Sequence, residues 1–254
     1  QHNLLGTINI AEYAKRFGAG VIFLSTSRVY AINALRQIRL KTIGTRFVLR
    51  EHDTRDAAIS TEGVLESFPT TSPVSLYGVS KLACEQILQE YSLAFDFPLY
   101  INRCGVISGA GQFARPDQGI VPYWIHSWHG KRPLEYYGFD GYQVRDCLHP
   151  ADLSALISRQ IDDHRKDSPP IYNVSGGKRN SFSLRELSNW CSNRFGQIEL
   201  NSAGGEREYD IPWLVLDNTK AKQRWNWEPT FSAEDIFVEI SRFAEQYPDW
   251  FEKI

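Results

Sequence analysis

Methionine is absent from all 254 residues, and the chain begins with Gln1. A freshly translated chain starts with methionine, so the expectation is of a chain that starts inside a longer gene product or was trimmed at its N-terminus. Cysteine is scarce: Cys84, Cys104, Cys147 and Cys191 are widely spaced, with no Cys-x-x-Cys among them, which reads as a reduced, cytoplasmic setting. The six histidines fall in no metal-ligand spacing, so no metal is expected. Apolar runs stay far below the roughly 20 residues of a membrane helix, and no signal-peptide pattern opens the chain. A net charge of −2 and a pI near 6.3 give no footprint for nucleic acid or an anionic membrane. There is no internal repeat or low-complexity tract.

What is there alternates between helical and strand-like segments. Leu4, Ile8, Ala11 and Ala14 recur at helical spacing over residues Asn3 to Phe17, which Gly18 and Gly20 end. Val21 to Ser25 is an apolar run suited to a buried parallel strand. Residues Ala31 to Thr71 read as an irregular, polar, solvated insertion with six basic side chains between Arg36 and Arg55. A helix then carries Tyr77 and Lys81, a strand follows from Leu99 to Asn102, and Cys104 to Gly119 is loop-like and rich in glycine. Helices are expected over Pro122 to Trp128 and Asp152 to Gln160. Two more start at capping boxes, Ser183 to Glu186 and Ser232 to Asp235. This order predicts an α/β core followed by a smaller C-terminal lobe.

Tyr77 and Lys81 are the chemically informative pair. Four residues apart on a helix, they share a face. An ammonium beside a phenol favours the phenolate. Thr26, at the end of the Val21 strand, can meet them where doubly wound sheets place ligands, and can hydrogen-bond the same substrate oxygen. Such a trio can take a proton from a sugar hydroxyl while a hydride leaves the carbon beneath it. A Tyr-x-x-x-Lys alone is weak evidence, because an exposed helix pair looks the same.

With Ser25-Thr26-Ser27-Arg28-Val29-Tyr30 upstream, the pattern resembles the extended short-chain dehydrogenase/reductase family, the NAD-dependent epimerases and dehydratases of nucleotide-linked sugars. Asn3 to Thr7, Gln143 to Leu153, Arg207 to Asp210 and Trp225 to Pro229 resemble further family segments. The stretches 111–119, 143–146 and 207–210 are most similar to members acting on CDP-linked sugars. The resemblance implies a partial Rossmann-type doubly wound parallel sheet over residues 1–110, with a smaller α/β substrate-binding lobe over 111–254 that returns segments to the core. It implies Thr26, Tyr77 and Lys81 as catalytic groups. NAD would be held through Asn3, Tyr77, Lys81 and Cys104, with Asn3 open to a plain helix-capping role and Cys104 a packed side chain rather than a reactive thiol. Gln118, Arg145 and Arg207 would hold the nucleotide sugar, the arginines by forking onto phosphate oxygens unless they are ion-paired to the neighbouring Asp146, Glu208 and Asp210. His126, His129 and His149, with Trp124, Trp128, Trp225 and Trp227, are expected to be structural.

Two departures from the family pattern narrow this. The strand–Gly-x-x-Gly-x-x-Gly–helix unit that receives the NAD pyrophosphate is not in the sequence. The resemblance opens at the family's fifth strand–helix unit, so four strands with their helices, roughly 60 to 90 residues, have no counterpart here. Ser27 and Arg28 stand where the dehydratases have Asp and Glu, which leaves elimination without its acid and base and favours epimerisation through a transient keto-sugar, with C2 as the implied carbon. The resemblance thus implies a nucleotide-sugar epimerase of polysaccharide biosynthesis. A non-catalytic sugar-nucleotide binder and a sugar-nucleotide reductase stay open, as does assembly into a homo-oligomer.

Overall fold

The computed structural model describes residues 2–50, 58–116, 118–163, 165–166, 169–204 and 210–253. In chain order the elements are α1 (His2–Phe17), β1 (Val21–Thr26), α2 (Ile32–Arg36), β2 (Leu40–Ile43), β3 (Arg46–Leu49), α3 (Leu76–Phe95), β4 (Leu99–Cys104) and β5 (Val106–Ile107). Then come α4 (Ile120–His129), β6 (Leu134–Tyr136), β7 (Val144–Leu148), α5 (Pro150–Ile161), β8 (Ile171–Val174) and β9 (Ser181–Ser183). The last are α6 (Leu184–Phe195), β10 (Leu200–Ser202), β11 (Trp213–Leu214), α7 (Thr219–Trp225) and α8 (Ala233–Gln246).

The first sheet is parallel with strand order β1-β4-β8, Val21 to Thr26 lying beside Leu99 to Cys104 in unbroken register. Side chains alternate along a strand. Leu99 and Ile101 therefore face one way, into a core with Ala11 and Ala14 of α1 and Leu88 of α3. Tyr100 and Cys104 face the other, into a core with Leu153 and Leu156 of α5, Trp225 of α7, and Trp227. Helices on both faces make the sheet doubly wound. Its β1 edge has no partner strand among the described residues.

A second sheet orders β11-β7-β5 in parallel, with β9 antiparallel on β7, and β6 pairs with β10. These strands and helices α4, α6 and α8 surround a third core that includes Trp124, Trp128, Leu187, Ile236 and Ile240. Ser183 and Ser232 cap α6 and α8 through complete capping boxes, as their sequences predict.

The segment after β1 differs from its sequence-based expectation. It contains α2 and the β2–β3 hairpin, and Tyr30, Ile32, Leu35, Val64 and Phe68 are buried in a fourth core with Trp213 and Leu216. Its basic side chains are engaged: Arg46 donates to Ser181 at 2.6 Å and lies 3.4 Å from Glu186, and Arg50 donates to the Leu40 carbonyl. The aromatic and aliphatic side chains are too scattered along the sequence to show a period, so the burial was not legible there. Arg55 lies outside the described residues.

Candidate active site

β1 ends at Thr26, whose backbone is extended and whose Oγ1 accepts a hydrogen bond from Arg28 N at 3.2 Å. That bond turns the chain into the short helical turn Ser27–Val29 and leaves the threonine hydroxyl proton free to donate. α3 starts against this turn. Ser75 caps it, accepting from Gly78 N at 3.1 Å. Gly78 passes so close to the turn that an added Cβ would stand 2.2 Å from the Arg28 carbonyl oxygen. Only a glycine allows this approach, which brings the first turn of α3, with Tyr77, up to the end of β1.

Tyr77 is 52% exposed, so a ligand can reach its phenol. Lys81 is half-buried, with Nζ 4.1 Å from the centre of the Phe23 ring and no hydrogen-bond partner among the described residues. Burial pulls its pKa below the ordinary lysine value, opposed by the neighbouring Cys84 and Cys104 thiols and the Glu85 carboxylate. Its three N–H groups are unspent beside Phe23 of β1. Asn3 lies inside α1 and donates to Ser80 Oγ at 3.1 Å, and Ser80 donates to the Tyr77 carbonyl. Its side chain thus joins α1 to the first turn of α3. Cys104 is buried on the α5 face of the sheet, where desolvation pushes its thiol up to about 12 in spite of Lys81, so it stays un-ionised.

Thr26, Ser27 and Arg28 line a cavity of about 690 Å³ that runs beneath α4 to β6 and β10. Arg145 and Asp210 line it too, with Arg145 Nη2 3.6 Å from Asp210 Oδ1. Arg145 and Asp146 are neighbours on β7 and point to opposite faces. Asp146 is buried and accepts from Ser175 Oγ at 2.5 Å, Gly177 N and Leu216 N, so it is not the partner of Arg145. Burial draws the Arg145 guanidinium down to about 10, which leaves it charged at neutral pH. Gln118 lines the cavity from a turn closed by reciprocal backbone hydrogen bonds with Arg115. Arg207 lies outside the described residues.

Several lining residues were not singled out from the sequence. Arg28, which replaces a carboxylate of the dehydratase pattern, lines the wall with Thr26. Gln143 also lines it, with its Oε1 buried and unpartnered among the described residues. Tyr123, Glu135, Tyr137 and Asn201 line it as well. Nothing in their spacing marks them, because they come from three separate elements. Trp124 lines the cavity while donating to Ser188, and Trp128, Trp225 and Trp227 are packed as expected, each ring N–H bonded to a protein oxygen. His126 stacks on Phe251 and His149 on Phe231. Among the described residues no group of three His, Cys, Asp or Glu side chains could hold a metal, and no helix is long and apolar enough to cross a membrane.

Residues 1–175 match the model of the family described as NAD dependent epimerase/dehydratase. CDP-paratose 2-epimerase of Salmonella typhi is 28% identical over 246 residues, covering 92% of this chain and 68% of that protein. UDP-glucose 4-epimerase of Lacticaseibacillus casei is 30% identical over 195 residues, covering 70% of this chain and 58% of that protein. The chain therefore spans 58–68% of the length of these relatives. Among solved structures, UDP-glucuronic acid 4-epimerase from Bacillus cereus, in complex with UDP-glucuronic acid and NAD, superposes with a TM-score of 0.75 at 22% identity, over 96% of this chain and 67% of that one. The Bacillus anthracis dTDP-glucose 4,6-dehydratase in complex with NAD gives 0.73 at 23% identity, over 99% and 70%. With the strand-end threonine, the Tyr-x-x-x-Lys helix and the doubly wound sheet in place, and more than half its length matched, the chain belongs to the NAD dependent epimerase/dehydratase family.

Proposed function

We propose that this chain carries the chemical site of an NAD-dependent nucleotide-sugar epimerase acting through a keto-sugar, with a CDP-linked sugar as substrate and CDP-paratose 2-epimerase as its model. One observation carries the reading. The cavity that begins at Thr26 is lined by two guanidinium groups, Arg28 and Arg145, and has no carboxylate at positions 27 and 28. Such a wall suits a diphosphate-linked sugar and lacks the acid and base of elimination.

The unspent donors of Lys81, over Phe23 of β1, fit the nicotinamide ribose of NAD, and Tyr77 lies one turn before them on α3. No glycine-rich pyrophosphate loop is among the residues of this chain. When bound, NAD would supply hydride acceptance and return. Thr26 would donate to the reacting hydroxyl and hold its direction. Tyr77 would withdraw the hydroxyl proton and later give it back. Lys81 would hold the ribose and favour the phenolate. Arg145, with Arg28, Gln118 and Arg207, would keep the diphosphate fixed while the sugar turns to present its other face. Glu135 also lines the cavity, and a carboxylate accepts from the amino group of cytosine, which uracil lacks.

The test is incubation with NAD and CDP-paratose in D₂O, followed by NMR. Inversion at C2 without deuterium at that carbon is expected, because the same hydride returns. Turnover of UDP-linked sugars in preference would move the substrate assignment. Binding without turnover would make the chain a sugar-nucleotide binder instead.

A further inference from the structure

One turn beyond Lys81 on α3, and on the same helix face, stands a carboxylate that the mechanism above does not use. Glu85 is 0% exposed. It accepts from Ser25 Oγ at 2.5 Å and from Arg103 at 2.7 Å through Nη2, with Nε at 3.2 Å from both carboxylate oxygens. Ser25 immediately precedes Thr26, and Arg103 immediately precedes Cys104. Ser25 and Arg103 are also register partners across the β1–β4 ladder. Nη1 of Arg103 donates to the Glu66 carbonyl at 3.1 Å, and the guanidinium lies 5.1 Å from the Tyr30 ring. The Tyr30 hydroxyl donates to Asn173 on β8 at 2.5 Å. One carboxylate on α3 therefore gathers donors from the last turns of both strands that end at the site, and the network reaches the third strand of the sheet.

Stability does not require this arrangement. A buried ion pair of this kind is commonly matched or exceeded in stability by apolar side chains of the same volume. What apolar packing does not supply is direction. A guanidinium fork and a serine hydroxyl on one carboxylate fix both the rotation and the height of the helix against the strands. We infer that Glu85 is a positioning residue: the Ser25–Glu85–Arg103 unit sets α3, with Tyr77 and Lys81, in register with the end of β1, where Thr26 holds the substrate hydroxyl. The assignment rests on the epimerase reading for its kinetic consequence and on geometry alone for its structural one.

The experiment compares the protein with a Ser25→Ala, Glu85→Leu, Arg103→Met variant that replaces the whole unit by apolar groups, and with the isosteric Glu85→Gln. It measures melting temperature, kcat and KM for the nucleotide sugar, and the ¹³Cζ resonance of Tyr77, assigned through Tyr77→Phe. The expected result for the triple variant is a melting temperature near that of the parent, KM unchanged within about twofold, kcat down by roughly 100-fold as for a 1 Å misplacement, and a displaced Tyr77 resonance. A folded triple variant with parental kcat and an unmoved resonance overturns the inference. Should that variant fail to fold, Glu85→Gln decides by the same two readouts. Should the parent turn over no nucleotide sugar, the epimerase reading fails, and the resonance alone judges the unit: displacement upholds it and identity of the spectra overturns it.

Discussion

Thr26, Tyr77 and Lys81 are polar in three different ways, and the proposed chemistry asks something different of each. The threonine sits at a strand end with its hydroxyl proton free, the phenol is exposed to a ligand, and the ammonium is half-buried with unspent donors. Removing the phenolic oxygen alone should leave this frame standing. Tyr77→Phe is expected to lower kcat by about 10²–10⁴-fold, the usual share of a general acid–base group, with KM for the nucleotide sugar nearly unchanged; steady-state kinetics check this. In the proposed reading Arg145 serves binding rather than proton transfer. A charge-assisted hydrogen bond contributes about 1.5–3 kcal/mol, so Arg145→Gln should raise KM roughly 10- to 100-fold and weaken binding of the free nucleoside diphosphate equally, as calorimetry would show. A variant that lost kcat while keeping its affinity would place Arg145 in the chemistry instead.

Elements position these residues through close backbone approaches as much as through side chains. Gly78 lets α3 touch the turn after β1, whereas Gly6 on α1 has nothing within 4 Å of where a Cβ would stand. The two glycines make a matched pair. Gly78→Ala must push the first turn of α3 away from the Arg28 carbonyl and should cost about 1–3 kcal/mol, along with most of the turnover. Gly6→Ala should be neutral or stabilise by up to about 1 kcal/mol, the helix-propensity difference. Thermal melts and turnover of both variants test the contrast. Helices such as α1, α3 and α8, with their period and caps, were legible in the sequence, as was β1, because their signals are local. The short strands β6, β9, β10 and β11, of two or three residues each, carry too little pattern to be seen and exist through their partners. The same reason hid the far wall of the cavity. Thr26, Tyr77 and Lys81 lie within one strand–helix crossover, while Glu135, Gln143 and Asn201 meet only after β6, β7 and β10 are in place. Glu85 was in plain view eight residues after Tyr77, but its importance depends on Arg103, which only the β1–β4 register brings to it.

At the scale of the whole molecule, the C-terminal segment holds up the cavity loop, and a histidine packed against it is expected to make stability sensitive to acid. Glu239 of α8 accepts from Ala110 N at 3.2 Å and lies 2.7 Å from His149 Nε2, and Trp250 stacks on Phe113 with ring centres 4.7 Å apart. Beside these contacts, His126 of α4 is 7% exposed, with its ring 4.4 Å from Phe251 and 6.1 Å from Phe243. Burial first, then the positive charges of His129 and Arg132, hold its pKa down from 6.5 to about 4. The unfolded chain therefore binds a proton near pH 6.5 that the folded chain refuses until about pH 4. Between these values the unfolded state carries more protons, so stability rises with pH there. The contribution of His126 is complete above pH 6.5 and is lost as pH falls toward 4. By pH 5 the loss should be about 2 kcal/mol, which for a chain of this size corresponds to roughly 4–8 °C in melting temperature. His126→Phe keeps a ring against Phe243 and Phe251 and has nothing to protonate. Calorimetric melts at pH 7.5 and pH 5 should show the parent losing those degrees in addition to whatever the variant loses; equal losses in both proteins would mean that the acid limb belongs to other groups.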